Sequence, residues 1–462
     1  MLFTSFLIFL VFSTFPNESL RLIGLKNSHS IIVNRLGTLT IIFTLIMLII
    51  STDIVALSPG ITLYNNWFSL TPTNLPIIYL ILSLVIILLI YTTSNQRYDL
   101  KSPYYLLLLL ANIIGLLLFP LVNDLLSLYV VIELQSYSLY LLTGLHNRSY
   151  NASRASLLYF LMGGIASTII LISSYFIYAL TGTTNISDIM IFYSYSNAYD
   201  YFDILLIALL FKMGMAPLHR WSIAVYNYAP TYITAYISIV AKLSIVSWIF
   251  SNASLFHHHI LIIFFYLSLF IAAYKPLFQV NIKTILAYSG LLNFGYILLT
   301  IISYDSSLYI YLIQYVLTHL ILFLGILSAS EYINNPISKW SPLLYIHQLK
   351  LPNLTLALCL ILALFSLIGI PPLPGFYAKY YILSAALQDN YIIETITIVI
   401  CSVIATYYYA NIIKVLMTSK TNKVVNYINP SLAYTIALST TLLISFFIYL
   451  PAISEGLYLI TI

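Results

Sequence analysis

The 462-residue chain is 61% hydrophobic and only 7% charged, with a formal net charge of +5. Because a soluble domain carries about 25% charged residues, this composition excludes a soluble protein with a solvated surface. Repeated apolar runs of about 20 residues indicate a polytopic α-helical membrane protein, and not an outer-membrane barrel with strands of about ten residues. The basic residues form no cluster with interleaved aromatic side chains, so nucleic-acid binding is not predicted.

Hydrophobic runs predict about fourteen membrane-spanning helices. They lie near 2–17, 37–56, 75–92, 104–119, 125–143, 155–180, 203–228, 231–251, 259–274, 284–303, 306–329, 351–388, 391–413 and 429–451. Lysine and arginine concentrate in alternate loops, and acidic residues occupy the opposite loops. By the positive-inside rule, this pattern places both termini on the outer side. The fold class predicted is therefore an all-α polytopic membrane protein.

Four charged residues do not fit this loop pattern, because they lie inside hydrophobic runs: Glu133, Lys212, Lys242 and Lys379. All other basic residues, including Lys283, are assigned to inner loops. Glu133 follows Asp124 by nine residues, or about 13 Å of helix rise, which places it near the bilayer centre. A charge at that depth costs about 2.5–3.5 kcal/mol, and such residues usually line ion or proton paths.

Two of the lysines lie beside predicted helix breaks. Lys212 precedes the helix-breaking Pro217, and Lys379 follows a second proline-rich segment. The stretch Gly214–Leu218 aligns with Gly369–Leu373, so the two interruptions have related sequences. Interrupted helices in corresponding halves of a chain are typical of transporters built from internal repeats. The second break is predicted at Pro371, Pro372 and Pro374.

These charges predict a route for protons. The proton affinity of a buried group depends on how near an opposite charge lies, so Glu133 and Lys212 could load and release a proton. Lys242 could receive that proton through water, and Lys379, which lies towards the outer side, could be the exit. His319 could extend the path or be a hydrogen-bonded structural histidine. The alternative for the charged residues is a static set of ion pairs that fixes helix packing.

No metal or cofactor site is predicted within this chain. The consecutive His257–His259 would point in different directions at a helix start and are interpreted as a loop tract. Cys359 and Cys401 are too few to hold an iron–sulfur cluster by themselves. No glycine-rich nucleotide-binding motif or phosphate loop occurs.

Several motifs together resemble those of one family. They are Glu133–Ser136, Tyr159–Gly164, Leu180–Gly182, Lys212–Trp221, Tyr228–Thr231, Asn281–Ser289 and Gly369–Phe376. On these motifs the chain resembles the antiporter-like membrane subunits of respiratory complex I, the NADH–ubiquinone oxidoreductase, and its fungal mitochondrial members in particular. The resemblance covers nearly the whole length.

The resemblance implies an architecture. Three N-terminal helices in 1–103 would precede two inverted five-helix repeats at 104–254 and 259–417, and a last helix would lie in 418–462. The seventh and twelfth helices would be broken. Glu133, Lys212, Lys242 and Lys379 would correspond to the family's charged residues on helices five, seven, eight and twelve. Asn293 departs from the pattern, since many relatives carry histidine there.

The resemblance also implies a function and a location. The chain would relay protons in the mitochondrial inner membrane, with both termini in the intermembrane space and other membrane-arm subunits, including antiporter-like chains, beside it. It would not be a free monomer. NADH, FMN, iron–sulfur clusters and ubiquinone would belong to other subunits. Two alternatives remain open: a stand-alone cation/proton antiporter and a structural subunit that pumps no protons.

Overall fold

The computed structural model of the chain describes residues 2–14, 26–51, 60–90, 104–145, 149–192, 199–332, 344–418 and 429–461. The chain is mostly helical in these residues. In chain order the helices are α1 (Leu2–Thr14), α2 (Lys26–Ser51), α3 (Leu75–Ile90), α4 (Tyr105–Leu118), α5 (Leu125–Gly144), α6 (Tyr150–Thr181), α7 (Ile186–Phe192), α8 (Tyr199–Met213), α9 (Arg220–Tyr228), α10 (Thr231–Tyr236), α11 (Lys242–Ser251), α12 (His258–Tyr274), α13 (Ile282–Ile302), α14 (Ser307–Ala329), α15 (Leu354–Ile368), α16 (Pro374–Gln388), α17 (Ile392–Met417) and α18 (Pro430–Thr461).

A small β-hairpin, which the sequence analysis did not predict, lies between α2 and α3. Strands β1 (Ile61–Leu63) and β2 (Phe68–Leu70) pair in antiparallel register. Asn65 and Asn66 lie in the turn with φ of 54° and 66°, a left-handed conformation that asparagine tolerates better than most residues. The Trp67 carbonyl accepts a hydrogen bond from the backbone N–H of Asn123 at 2.9 Å. The hairpin therefore packs against the segment that leads into α5.

Among the described residues, eight helical segments are long and apolar enough to cross a bilayer. They are Leu125–Gly144, Tyr150–Thr181, Thr231–Ser251, His258–Phe278, Ile282–Ile302, Ser307–Ala329, Ile392–Met417 and Pro430–Leu457. Shorter apolar helices include α1, α3 and α15. A helical multi-pass membrane protein is thus confirmed, whereas the count of fourteen crossings stays a prediction.

The chain divides into two compact units. The first comprises Met1–Ala208 and Val240–Ser251, and the second comprises Leu209–Ile239 and Asn252–Ile462. In the first unit, α5 packs between α4 and α6, and α11 contacts α3. In the second unit, α13 packs on α12, and α14 packs on α15, α16 and α18. The boundaries of the two units differ from those of the predicted repeats, which stay a prediction.

Candidate functional site

The first unit contains Glu133, the acidic candidate. Helix α5 begins after Asp124, whose Oδ1 accepts a hydrogen bond from the backbone N–H of Leu126 at 2.8 Å and so caps the helix. Glu133 lies near the middle of α5 and is 6% exposed. Ser136, about one turn further, places its Oγ 3.5 Å from Glu133 Oε2. The carboxyl group is therefore buried beside a hydroxyl of its own helix.

Gln135, on the same helix, contacts the helix that carries Lys242. Its Nε2 donates to the carbonyl of Ala241 at 3.1 Å, and its Oε1 accepts from the Ser244 hydroxyl at 3.3 Å. The backbone carbonyl of Gln135 accepts from Asn112 Nδ2 at 2.9 Å. Buried polar groups of this kind connect α4, α5 and α11 within the first unit.

Lys242 is the first residue of α11 and follows a π-helical segment. This segment comprises Ile237–Ala241, between α10 and α11. Lys242 is 6% exposed. A π-helical turn adds a residue to the helical circuit and redirects the side chains beyond it, and such turns are frequent at functional sites. The turn therefore determines the direction in which Lys242 leaves its helix.

The first of two interruptions separates α8 from α9. Gly214 has a φ of 72°, and a Cβ at this position would lie 2.5 Å from the Ser222 hydroxyl. The following Ala216–Pro217 peptide bond is cis. Lys212 lies in the last turn of α8, where the partial negative charge of a helix C-terminus favours a cation. Its side chain is half-buried.

The second interruption, between α15 and α16, has the same backbone features at the aligned positions. Gly369, which aligns with Gly214, has a φ of 96°. The Pro371–Pro372 bond is cis, and Pro372 aligns with Pro217. Pro374 then begins α16, at a position where the missing N–H of proline costs no hydrogen bond.

The side chain of Lys379, which lies on α16 after the second interruption, reaches back to the end of α15. Its Nζ donates to the carbonyls of Leu367 and Ile368, each at 2.9 Å, at the C-terminal end of α15. The amine also lies 5.8 Å from the centroid of the Tyr296 ring. Leu367 is the residue that aligns with Lys212. A lysine therefore occupies the C-terminal end of the first half-helix in both interruptions, although the two lysines come from different sequence positions.

The sequence analysis missed Lys283 as a candidate because it assigned this lysine to a loop, whereas the structure places it in a helix. Lys283 is the second residue of α13 and is only 2% exposed. Its Nζ donates to the Ala229 carbonyl at 2.7 Å, and Ala229 caps the C-terminus of α9. Assigning basic residues to loops from the sequence alone treats any lysine near the end of a hydrophobic run as solvated. The signal for burial was the Asn281–Ser289 motif, in which the helical pattern begins before Lys283.

His319 and Asn293 are both buried in the second unit. His319 is 1% exposed, and its Nδ1 lies 3.1 Å from the Tyr315 carbonyl of its own helix. The Tyr315 hydroxyl donates to the Ser238 carbonyl at 2.9 Å. Asn293 Oδ1 accepts from the Tyr311 hydroxyl at 2.7 Å. These contacts are compatible with both interpretations of His319, as a structural residue and as part of a path.

The three consecutive histidines lie at the start of α12. His257 is the N-cap residue, and His258 and His259 are exposed in the first helical turn. They do not form a loop tract, since two of them are helical.

Interrupted helices with lysines at their half-helix ends, in a polytopic chain with a buried carboxyl group, are features of membrane transporters built from internal repeats. A family profile described as "NADH:quinone oxidoreductase/Mrp antiporter, TM" matches residues 122–406. The chain belongs to this family.

Individual relatives agree with this assignment. NADH-ubiquinone oxidoreductase chain 2 of Debaryomyces hansenii is 73% identical over 462 residues, which cover 100% of both chains. The protein of the same name from Candida albicans is 54% identical and covers 93% of this chain and 91% of its own length. NADH-quinone oxidoreductase subunit N of a Wolbachia species is 32% identical, and the match covers 68% of this chain and 70% of that protein.

Solved structures share the fold. A chain of respiratory complex I from Thermus thermophilus is 22% identical, with a TM-score of 0.75 over 96% of this chain and 97% of its own. A chain of the Mrp complex from a Dietzia species is 18% identical, with a TM-score of 0.76 over 99% and 93%.

Proposed function

We propose that this chain is a proton-translocating membrane-arm subunit of respiratory complex I in the mitochondrial inner membrane. The observation that carries the proposal is the 73% identity, over the full length of both chains, to a protein named NADH-ubiquinone oxidoreductase chain 2. The chain is then part of an enzyme that transfers electrons from NADH to ubiquinone. FMN, the iron–sulfur clusters and both substrates bind to other subunits, and neighbouring antiporter-like chains are among its partners.

Glu133, Lys212, Lys242 and Lys379 relay the protons in this proposal. Glu133 and Lys242 support it by their burial on apolar helices, since an intramembrane charge is costly and is usually retained for function. Lys212 and Lys379 support it by their places at half-helix ends, where backbone carbonyls stabilise a charged amine. A motion that changes this contact changes whether the amine holds its proton. His319 is a weaker candidate.

The topology of the proposal is fourteen crossings that include two inverted five-helix repeats, with both termini on the intermembrane-space side. The matched glycine and proline conformations of the two interruptions support a repeated architecture. Each predicted hydrophobic run also coincides with one helix or a helix pair in the described residues. The loops rich in lysine and arginine then face the matrix.

The proposal is tested with Glu133→Gln and Lys212→Met in the assembled complex. Both changes remove a charge with little change of volume, so we expect normal subunit content with depressed coupled NADH oxidation and proton pumping. Lys275→Met is the matched control, because Lys275 is exposed at the end of α12. Full pumping by both variants would instead indicate a structural subunit.

Purification separates the proposal from a stand-alone antiporter, which would have the same helix plan. We expect this chain only within a large assembly that contains flavin and iron–sulfur clusters. Recovery of the chain alone as an active cation/proton exchanger would contradict the proposal.

A further inference from the structure

We propose that Gln135 is a positioning residue that fixes Lys242 relative to the helix that carries Glu133. This inference rests on the proposed relay function of those two charged residues. Gln135 itself carries no charge and holds no proton. Its effect is exerted through the backbone at Ala241, the residue immediately before Lys242.

The side-chain amide of Gln135 uses both of its polar ends on the segment around Lys242. The Ala241 carbonyl can only accept, so the amide nitrogen must face it, at 3.1 Å. The amide oxygen therefore faces Ser244, whose hydroxyl lies 3.3 Å from it and 3.1 Å from the Ala241 carbonyl. The single Ser244 hydroxyl hydrogen is shared between Gln135 Oε1 and the Ala241 carbonyl, so Gln135 and Ser244 both contact one backbone acceptor. Two contact points restrict both sliding and rotation of α11 against α5.

The α5 side of this contact is also held in place. Asn112 donates to the Gln135 carbonyl at 2.9 Å. Gly115 of α4 lies so close that an added Cβ would be 3.0 Å from the backbone nitrogen of Gln135. Gln135 is therefore in close contact with α4 as well as with α11, and the packing of three helices holds its position.

The position of the contact along the chain explains why it matters for Lys242. Ala241 is the last residue of the π-helical segment. If that segment ended one residue earlier or later, the Lys242 side chain would rotate by about 100° around its helix. The hydrogen bond from Gln135 to the Ala241 carbonyl holds the end of the π-helical segment at Ala241. It thereby fixes both the depth and the direction of the lysine.

The helical spacing of Gln135 and Glu133 on α5 indicates that Gln135 acts without direct contact with the Glu133 carboxyl group. Gln135 and Glu133 are two residues apart on α5, so their side chains leave the helix about 200° apart. Gln135 therefore holds the Lys242 segment at a defined place on the helix that carries Glu133, without bonding to the carboxyl group. A change in Gln135 alters the separation of the two charged residues while both remain present.

The test compares Gln135→Met, Lys242→Met and the double variant in the assembled complex. Methionine matches the length of glutamine but makes neither hydrogen bond. We expect Gln135→Met to retain normal subunit content, to lower coupled NADH oxidation about three- to tenfold, and to shift its pH profile. In the Lys242→Met background, adding Gln135→Met should change the residual rate by less than about twofold, because the two residues act on one step.

Ser244→Ala provides a second variant in case Gln135→Met does not assemble. It removes one hydrogen bond of the set, so we expect a smaller shift of the pH profile in the same direction. Ser127→Ala is the control, since Ser127 is a buried hydroxyl on α5 that bonds to the carbonyls of Asp124 and Trp67. Its pH profile should match that of the unaltered complex.

Three outcomes would overturn the inference. The first is an unaltered pH profile in both Gln135→Met and Ser244→Ala. The second is a double variant in which the rate losses of Gln135→Met and Lys242→Met multiply. The third is a shift of the pH profile in Ser127→Ala equal to that in Gln135→Met. If the proposed relay function is itself wrong, complex that carries Lys242→Met will pump protons normally. If Lys242→Met stops pumping while the Gln135 and Ser244 variants behave normally, only the positioning role is wrong.

Discussion

Replacement of Lys283 by methionine tests whether this buried lysine holds the end of α9. The Nζ of Lys283 donates to the Ala229 carbonyl at 2.7 Å, and both residues are buried. Loss of the donor to a buried carbonyl costs about 1–3 kcal/mol. Lys283→Met leaves the Ala229 carbonyl without this donor.

A loss of that size makes local opening of the connection between α9 and α10 roughly 5 to 150 times more frequent, since about 1.4 kcal/mol corresponds to tenfold. Hydrogen exchange in the assembled complex measures this opening through the amides of Ala229 and Thr234, which bond to Val225 and Pro230 at 2.9 Å each. Lys275→Met, at an exposed lysine, should leave the exchange unchanged. Equal exchange in the two variants would refute the role of Lys283.

Two further predictions concern the interruptions. Gly214→Ala should lower the amount of assembled complex on a native gel. Adding a Cβ to a residue with φ of 72° beside Ser222 destabilises the protein by more than about 1 kcal/mol. Gly164→Ala, with open space around the glycine, should assemble normally. Lys379→Met should reduce proton pumping in vesicles, because it removes the amine from the end of α15. Lys350→Met, at an exposed lysine, should leave pumping unchanged. Equal pumping in these two variants would show that Lys379 is not part of the relay.

Local sequence patterns were sufficient for the helical, membrane-spanning character of the chain. Bilayer thickness imposes long apolar runs, and the cost of buried charge makes exceptions such as Glu133 conspicuous. Proline restricts the backbone and glycine permits left-handed conformations, so the positions of the two interruptions can be read from Gly214, Pro217, Gly369 and Pro372. The hairpin at 61–70 also had a local signal, an Asn-Asn turn between short β-favouring segments, which was overlooked among stronger helical patterns.

Other features depend on tertiary contacts and could not be predicted in the same way. The bond from Gln135 to Ala241 joins residues 106 positions apart, and nothing local to either residue indicates it. The π-helical segment before Lys242 has an apolar sequence that also suits an ordinary α-helix. The burial of Lys283 depends on the carbonyl of Ala229, whereas a count of basic residues carries no information on depth.

Proton stoichiometry decides whether this chain moves protons or only supports its neighbours. The measurement is the number of protons moved per NADH oxidised by complex carrying Lys212→Met, reconstituted in sealed vesicles, with Lys275→Met as control. If Lys212 is part of the relay, the ratio falls in the first variant and is unaltered in the second. An unaltered ratio in Lys212→Met, at normal subunit content, would contradict proton translocation through this residue.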